Sequence, residues 1–136
     1  TVDKTASSAY VGGLSASSSC RVAVKAVYGS TSSEYSNYLV GYSKLNKPAS
    51  LKTVSLSSGT ANISWSSVKS ATGYKVYLYD EVSGTYKECA QTTSASASIK
   101  GLKAGKEYKI RVRAIAATSW KTYYSDSSDC LNFTAK

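Results

Sequence analysis

The sequence predicts an all-β protein built as an antiparallel β-sandwich, and three observations support that prediction. Short segments alternate apolar and polar residues, most clearly in 107–117. Helical periodicity is absent, and short, evenly spaced, alternating strands favour a sandwich. Turn signals separate the segments at intervals typical of such strands: Ser58-Gly59, Thr72-Gly73 and Ser83-Gly84.

Seven strands are predicted in the C-terminal two thirds of the chain. In 107–117, apolar side chains from Tyr108 to Ala114 occupy even positions and are expected to face inward. The cations Lys109, Arg111 and Arg113 occupy odd positions and are expected to face water. The predicted strands are 49–56, 60–66, 73–80, 85–91, 95–100, 107–117 and 129–135.

A repeat divides the chain into two parts. Residues 101–114 resemble residues 13–26, which lie 88 positions upstream, and Tyr35-Ser36-Asn37 aligns with Tyr124-Ser125-Asp126. A period close to one domain length predicts an array of similar modules. Only 12 residues precede the first copy. We therefore assign 47–136 to a complete module and 1–46 to the C-terminal half of another.

The first part is expected to be incomplete. Three strands are predicted within 5–44, and they would expose an apolar face formed by Val22, Val24 and Ala26. We expect neighbouring modules or another protein chain to cover it. The short linker Asn46-Lys47-Pro48 predicts that the two parts lie close together with restricted motion.

Residues 47–136 resemble a fibronectin type III domain. The residues that carry the resemblance are Pro48, Trp65, Tyr74-Lys75-Val76 and 102–114. It implies an immunoglobulin-like sandwich, and 5–44 resemble the last three strands of a second such domain. Leu102 followed by Tyr108 resembles the family's tyrosine corner, in which the phenol reaches a backbone group; Cys20 stands at that position in the first copy. Residues 121–126 resemble modules of secreted proteins of Gram-positive gut bacteria.

Charge and cysteine content leave alternatives open. The net charge is +9, and the lysines are spread along the chain. That pattern suits solubility and protection of strand edges, or attraction to an anionic surface such as a wall polymer. Cys20, Cys89 and Cys130 could be three thiols, or one disulfide and one thiol.

The sequence offers little support for catalysis. It contains no histidine and only 8 acidic residues, which removes Ser-His and Cys-His arrangements and most zinc sites. Asp126 and Asp129 could bind Ca²⁺ weakly, but capping of a turn is the preferred interpretation. We expect no enzyme activity, cofactor or metal site. We also expect no nucleic-acid binding and no insertion into a membrane.

Aromatic and cationic side chains are the candidate contact residues. A row of outward-facing residues on the predicted strands 73–80 and 107–117 could stabilise the sheet through cation–π pairs, or could form a recognition surface. The aromatic residues of the loop 117–123 could bind a partner or pack on their own loop. The candidates are Trp120, Tyr123, Tyr77, Tyr79, Arg111 and Arg113.

These observations favour a non-catalytic extracellular or cell-surface module. It would act as a spacer, or as a protein- or ligand-binding unit, of a bacterial surface or secreted multidomain protein. One alternative is a structural subunit of a fibre or pilus-like assembly completed by strands from another chain. Another is an accessory carbohydrate-binding domain of a glycoside hydrolase, with polysaccharide as the ligand.

Overall fold

The computed structural model describes residues 1–119 and 121–136, and the regular elements there are all strands. In chain order they are β1 (Ser19–Val22), β2 (Val27–Tyr28), β3 (Thr31–Ser32), β4 (Leu39–Tyr42), β5 (Lys52–Ser57), β6 (Thr60–Ser64), β7 (Gly73–Asp80), β8 (Thr85–Thr92), β9 (Ser96–Lys100), β10 (Glu107–Ala117), β11 (Thr122–Tyr124) and β12 (Leu131–Thr134).

Two antiparallel sheets form the complete module. One has the strand order β5-β6-β9, and the other has the order β11-β10-β7-β8 with β12 also paired to β10. β11 pairs with the last residues of β10, whereas β12 pairs with its first residues. Both lie on the edge of β10 that does not pair with β7. β11 and β12 therefore act as one interrupted edge strand.

The core lies between the two sheets and is built from alternate residues of each strand. Ile110, Val112 and Ala114 of β10 are completely buried, which confirms the predicted inward face. Ile63 of β6 and Val76 of β7 are buried with them. The alternation of apolar residues thus places the hydrophobic surface of each sheet against the other.

The tyrosine corner expected from the resemblance is present. The Tyr108 hydroxyl accepts a hydrogen bond of 2.9 Å from the backbone N–H of Lys103. Gly101 and Gly105 adopt φ values of 76° and 75° in the turn that carries this contact. Those left-handed conformations favour glycine, so the turn and the corner are specified together.

The predicted strands of 47–136 agree with the structure except at their ends and at β11. The strand 73–80 has the predicted bounds, and 49–56 begins three residues later, at Lys52. Thr122–Tyr124 pairs with β10, although most of it was assigned to the loop 117–123. Only three residues pair before the strand is interrupted, too few for an alternating pattern to be recognised.

The N-terminal segment differs from the prediction of three strands. It contains two short antiparallel pairs, β1-β4 and β2-β3, and no strand in 1–18. Residues 8–12 align with β9, whose strand neighbour in the complete module is β6. Residues 8–12 pair with no strand in the structure. An extended segment with no neighbour gains no ladder of hydrogen bonds, which explains why the first predicted strand does not form.

The apolar face of the N-terminal segment is open. Val24 is 65% exposed and Ala26 is exposed, while their counterparts Val112 and Ala114 are completely buried. Val22 is only half-buried. In the complete module the equivalent face is covered by β5, β6 and β9, and the N-terminal segment lacks a corresponding sheet.

Candidate functional site

The outer face of the larger sheet carries a row of cations. Arg111 lies opposite Tyr77 in the ladder between β10 and β7, and Arg113 lies opposite Lys75. The two strands are neighbours, as the resemblance implies. Because residues two apart share a face, Lys109, Arg111 and Arg113 all point away from the core.

Each cation of β10 lies over a tyrosine ring. The Arg111 guanidinium carbon is 4.6 Å from the ring centre of Tyr86, and that of Arg113 is 5.0 Å from Tyr124. Lys109 Nζ lies 5.6 Å from the ring centre of Tyr79. The cation–π contacts anticipated from the sequence therefore form, although neither arginine uses Tyr77. Such contacts stabilise the sheet and also fix the planes of the guanidinium groups.

The arginines differ from the neighbouring lysine in their ionic partners. Lys75 Nζ forms an ion pair of 2.8 Å with Glu88, and this hydrogen bond raises the pKa of Lys75. Within residues 1–119 and 121–136, neither Arg111 nor Arg113 has a carboxylate at ion-pair distance. Arg113 donates from Nε to the carbonyl oxygen of Ser125 at 2.8 Å.

A depression of about 190 Å³ lies between the two arginines. Tyr77, Tyr86 and Ser127 complete its lining. Tyr79 lies outside it and packs edge-on against Tyr86, with ring centres 5.2 Å apart. We refer to Tyr77, Tyr86, Arg111, Arg113 and Ser127 as the arginine depression.

Two buried serines hold the interrupted edge of the sheet together. Ser125 Oγ accepts from the N–H of Ala114, and Ser128 Oγ accepts from the N–H of Val112, both at 2.9 Å. The backbone N–H groups of the same serines donate to the carbonyl oxygens of Ala114 and Val112. The hydroxyls thus replace the carbonyl acceptors that a continuous strand would supply to β10.

The N-terminal segment repeats this arrangement. Ser33 and Ser36 accept from the N–H groups of Ala26 and Val24 at 3.0 Å. The equivalents of Ser125 and Ser128 are therefore Ser33 and Ser36, and the alignment of Tyr35 with Tyr124 is wrong. That alignment relied on a shared Tyr-Ser pair, whereas the bonding follows the spacing Ser-x-x-Ser. This spacing occurs in both copies and was the available sequence signal.

A second group of contacts joins the N-terminal segment to the complete module. Leu45 is 2% exposed and belongs to the core of the sandwich. Ser17 is completely buried; its hydroxyl accepts from the N–H of Asn46 at 2.6 Å, and its carbonyl oxygen accepts from the Ser70 hydroxyl at 2.7 Å. The ring centres of Tyr42 and Tyr123 are 5.5 Å apart. We call this set of contacts the junction.

Two ion pairs continue the junction at the surface. Lys44 pairs with Asp126 at 2.8 Å, and Lys47 pairs with Asp129 at 2.7 Å. Hydrogen bonding and attraction from Lys44 lower the pKa of Asp126. From the sequence, these two carboxylates were expected to cap a turn or to bind Ca²⁺ weakly. In the structure they form ion pairs with lysines in and next to the linker.

The junction also accounts for one predicted contact residue. Tyr123 is half-buried against Tyr42 and lies within 5.1 Å of Lys121 Nζ, so it packs between the two parts of the chain. Trp120, predicted from the same loop, lies outside the described residues.

The described residues show no arrangement typical of a metal centre or a membrane span. No group of three or more Cys, Asp or Glu side chains is close enough there to hold a metal ion. The same residues contain no helix long and apolar enough to cross a bilayer. Cys20, Cys89 and Cys130 are free thiols; Cys20 is half-buried, and burial of the sulfur raises the pKa of the Cys89 thiol.

The two packed sheets, their strand order and the tyrosine corner together define an antiparallel β-sandwich of the immunoglobulin-like class. A family model described as "Fibronectin type III domain" matches residues 46–130, which is more than half of the chain. The chain therefore belongs to the fibronectin type III family. A search of curated proteins finds no match.

Solved structures share this fold at low sequence identity. A domain of human fibronectin type III domain containing protein 3 is 24% identical, with a TM-score of 0.57 over 70% of this chain and 89% of that one. The domain of human collagen alpha-1(XX) chain is 18% identical, with a TM-score of 0.55 over 68% and 86%. A β-1,2-glucanase from Parabacteroides distasonis is 21% identical, with a TM-score of 0.56 over 68% of this chain and 13% of that enzyme.

Proposed function

We propose that the chain is a non-catalytic spacer or binding unit of a secreted or surface-exposed bacterial multidomain protein. In this proposal, residues 1–46 are the C-terminal half of a second module that stands in tandem with 47–136. Fibronectin type III domains are generally non-catalytic modules of larger proteins, which supports the general part of the proposal. The junction is the observation that carries the specific part.

The pairing registers support a tandem arrangement. Cys20 pairs with Gly41 as Tyr108 pairs with Phe133, and Val27 pairs with Ser32 as Ile115 pairs with Tyr124. Cys20 and Val27 lie 88 positions before their counterparts Tyr108 and Ile115. Their pairing partners Gly41 and Ser32 lie 92 positions before Phe133 and Tyr124. A constant offset on each strand is expected if the two parts share one architecture and differ by four residues in a single loop.

The junction supports a spacer role because it restricts how the two parts can move. Leu45 is anchored in the core of the complete module, and Ser17 bonds to both Asn46 and Ser70. A flexible linker would leave such groups exposed to solvent. A fixed junction instead transmits the orientation of one module to the next, as an extended array requires.

Relaxation of backbone ¹⁵N nuclei tests the spacer proposal in the full chain. We expect ordered amides of β1–β4 and of the complete module to tumble with one correlation time. The double variant Leu45→Ser with Ser70→Ala, which removes the core anchor and the hydrogen bond to Ser17, should separate them into two correlation times. Independent tumbling of the unmodified chain would contradict the proposal.

The open face favours the fibre alternative as a second candidate. Val24 and Leu39 are 65% and 61% exposed in the N-terminal segment, so strands from another copy could cover them. Sedimentation velocity over a concentration series separates the two candidates. The spacer predicts a monomer, whereas a fibre predicts species that grow with concentration and are lost in Val24→Asp.

A matched control is available for this experiment. Val54 on β5 is 63% exposed, close to the exposure of Val24, but it lies on the complete module. Val54→Asp should leave the sedimentation profile unchanged under either candidate. If both variants abolish assembly equally, the open face is not the site of association.

The carbohydrate-binding alternative receives less support from the described residues. The likeness to the glucanase concerns the fold alone. Tyr123 packs against Tyr42, and Arg113 lies over the ring of Tyr124. The rings of Tyr123 and Tyr124 are therefore already in contact with other side chains, and Trp120, the third aromatic residue of this alternative, lies outside the described residues.

A further inference from the structure

The arginine depression combines fixed guanidinium groups with unused hydrogen-bonding capacity. Arg111 stacks on Tyr86 but makes no hydrogen bond or ion pair with the described residues, and Arg113 uses only Nε, toward Ser125. A guanidinium carries five N–H donors in a planar fork that matches a carboxylate. Stacking on a ring leaves these in-plane donors free to bind a ligand.

The carboxylates of Glu88 and Asp126 near the two arginines already form ion pairs, whereas Glu107 lies at the start of β10, four residues before Arg111. Glu88 forms an ion pair with Lys75, and Asp126 forms one with Lys44. Arg113 also lowers the pKa of Asp126 but is not its ion-pair partner. The whole chain has a net charge of +9. The two arginines therefore present positive charge that the described residues leave without an ionic partner, and the complementary ligand is an anion.

The spacing of the arginines matches an extended polypeptide. Residues two apart on a strand lie about 7 Å apart along it, and alternate side chains of an extended ligand peptide have the same spacing. Lys109 continues the row by one further step. Tyr77 and Ser127 line the depression and offer hydroxyl groups beside the arginines.

The tyrosines argue against ligands that bind by ring stacking. Tyr86, Tyr124 and Tyr79 each have a cation over the ring. Sugar rings and nucleic-acid bases would need those faces. A ligand that uses carboxylates needs only the edges of the guanidinium groups, and these remain accessible.

We propose that the outer face of β7 and β10 binds an extended acidic polypeptide segment through carboxylates at alternate positions. One carboxylate binds Arg111 and the next binds Arg113, with Tyr77 and Ser127 beside them. The acidic segment belongs to a partner protein.

A peptide titration tests this proposal with the full chain. The probe is a capped octapeptide of alternating Glu and Thr, and its counterpart has Gln in place of Glu. At low ionic strength we expect saturable binding of the Glu peptide, with NMR shifts at the side-chain Nε–H signals of Arg111 and Arg113. We expect no comparable shifts with the Gln peptide.

Two double variants distinguish the site from general attraction to a basic protein. Arg111→Gln with Arg113→Gln should weaken binding by about tenfold or more, since two charge-assisted hydrogen-bonded contacts are lost. Lys52→Gln with Lys100→Gln removes the same charge from exposed positions on the other sheet, and should change affinity by less than about twofold. Equal losses in the two variants would overturn the proposal.

Single variants keep the test decisive if loss of the Arg113 bond to Ser125 disturbs folding. Arg111 has no such bond, so Arg111→Gln should preserve the dispersed amide spectrum and still weaken binding at least about threefold. Arg111→Lys should weaken it by an intermediate amount because the planar fork is lost. Unchanged affinity in Arg111→Gln would overturn the proposal. Tighter, Arg111-dependent binding of a sulfated oligosaccharide would also overturn it and assign the face to polysaccharide.

Discussion

Single serine hydroxyls hold the complete module together where its edge strand is interrupted. Ser125 and Ser128 occupy buried positions and accept from backbone N–H groups of β10. A buried donor that loses its acceptor costs about 1–3 kcal/mol. The two hydroxyls therefore perform a role that side chains rarely need to perform in a continuous sheet.

We expect Ser125→Ala to lower the free energy of unfolding by about 1–3 kcal/mol, because the buried N–H of Ala114 loses its acceptor. Urea unfolding measures this change, with Ser127→Ala as the control. Ser33→Ala should have a smaller effect, because Ala26 is exposed and water can replace the hydroxyl. Similar midpoints for Ser125→Ala and Ser127→Ala would contradict this role.

A single carboxylate makes the junction sensitive to acid. The pKa of Asp126 is lowered by its hydrogen bond to Lys44. A carboxyl group whose pKa is lower in the folded state stabilises that state above its unfolded pKa, about 3.9, and ceases to do so as the pH falls through the lowered value. The Lys44–Asp126 contact should thus persist at neutral pH and be lost in strong acid.

A carboxyl ¹³C NMR titration tests this assignment. We expect Lys44→Gln to raise the pKa of Asp126 toward its ordinary value. Lys47→Gln is the control, since Lys47 pairs with Asp129 and lowers the pKa of Asp126 less than Lys44 does. If the two substitutions move the pKa of Asp126 equally, the specific pairing with Lys44 is wrong.

Sequence reasoning at the residue scale succeeded where a side chain follows a backbone periodicity. Ile110 and Val112 could be placed in the core because alternation fixes the face of a strand. The roles of Ser125 and Ser128 could not be predicted that way, since a hydroxyl that accepts from the backbone leaves no periodic signal. Tyr77 and Arg111 were placed correctly on one face, but the ring under Arg111 belongs to Tyr86 on a third strand.

At the scale of elements, the linker region acts as part of the sandwich. Leu45 precedes the first strand of the complete module and is nonetheless buried in its core. The module therefore gains core packing from a residue that the sequence analysis assigned to the N-terminal part. This shared residue couples the stability of the sandwich to the position of the segment before it.

Leu45→Ala should lower the free energy of unfolding of the complete module by about 2–5 kcal/mol, because the substitution leaves a cavity in the core. Urea unfolding followed by tryptophan fluorescence measures the change. Leu39→Ala provides the control at a position that is 61% exposed, and its effect should stay within about 0.5 kcal/mol. Equal effects of the two substitutions would show that Leu45 does not pack in the core.

Strands were predictable where clear alternation coincides with pairing to a neighbouring strand. β7 and β10 show clear alternation and pair with each other, and their predicted bounds are correct. The strand expected near residues 8–12 does not form, and no other strand pairs with these residues. Local pattern identifies a strand's preference, whereas pairing depends on residues far away in sequence.

For the molecule as a whole, one module has a closed core and the other part has an open apolar face. The two equivalent residues Val24 and Val112 show this difference, since Val24 is 65% exposed and Val112 is completely buried. The sequence analysis predicted an exposed apolar face at Val22, Val24 and Ala26; Val24 and Ala26 are exposed, and Val22 is half-buried. The contacts that fix the two parts relative to each other involve Ser17, Tyr42 and Leu45, and no sequence pattern indicated them.

The central claim is that the junction holds the N-terminal segment against the complete module in one arrangement. A NOESY spectrum of the full chain tests it most directly. The account predicts cross-peaks between the ring protons of Tyr42 and Tyr123, and between the Leu45 methyl groups and the sandwich core. Absence of both sets, in a spectrum that shows the Trp65–Tyr74 cross-peaks of the core, would contradict it.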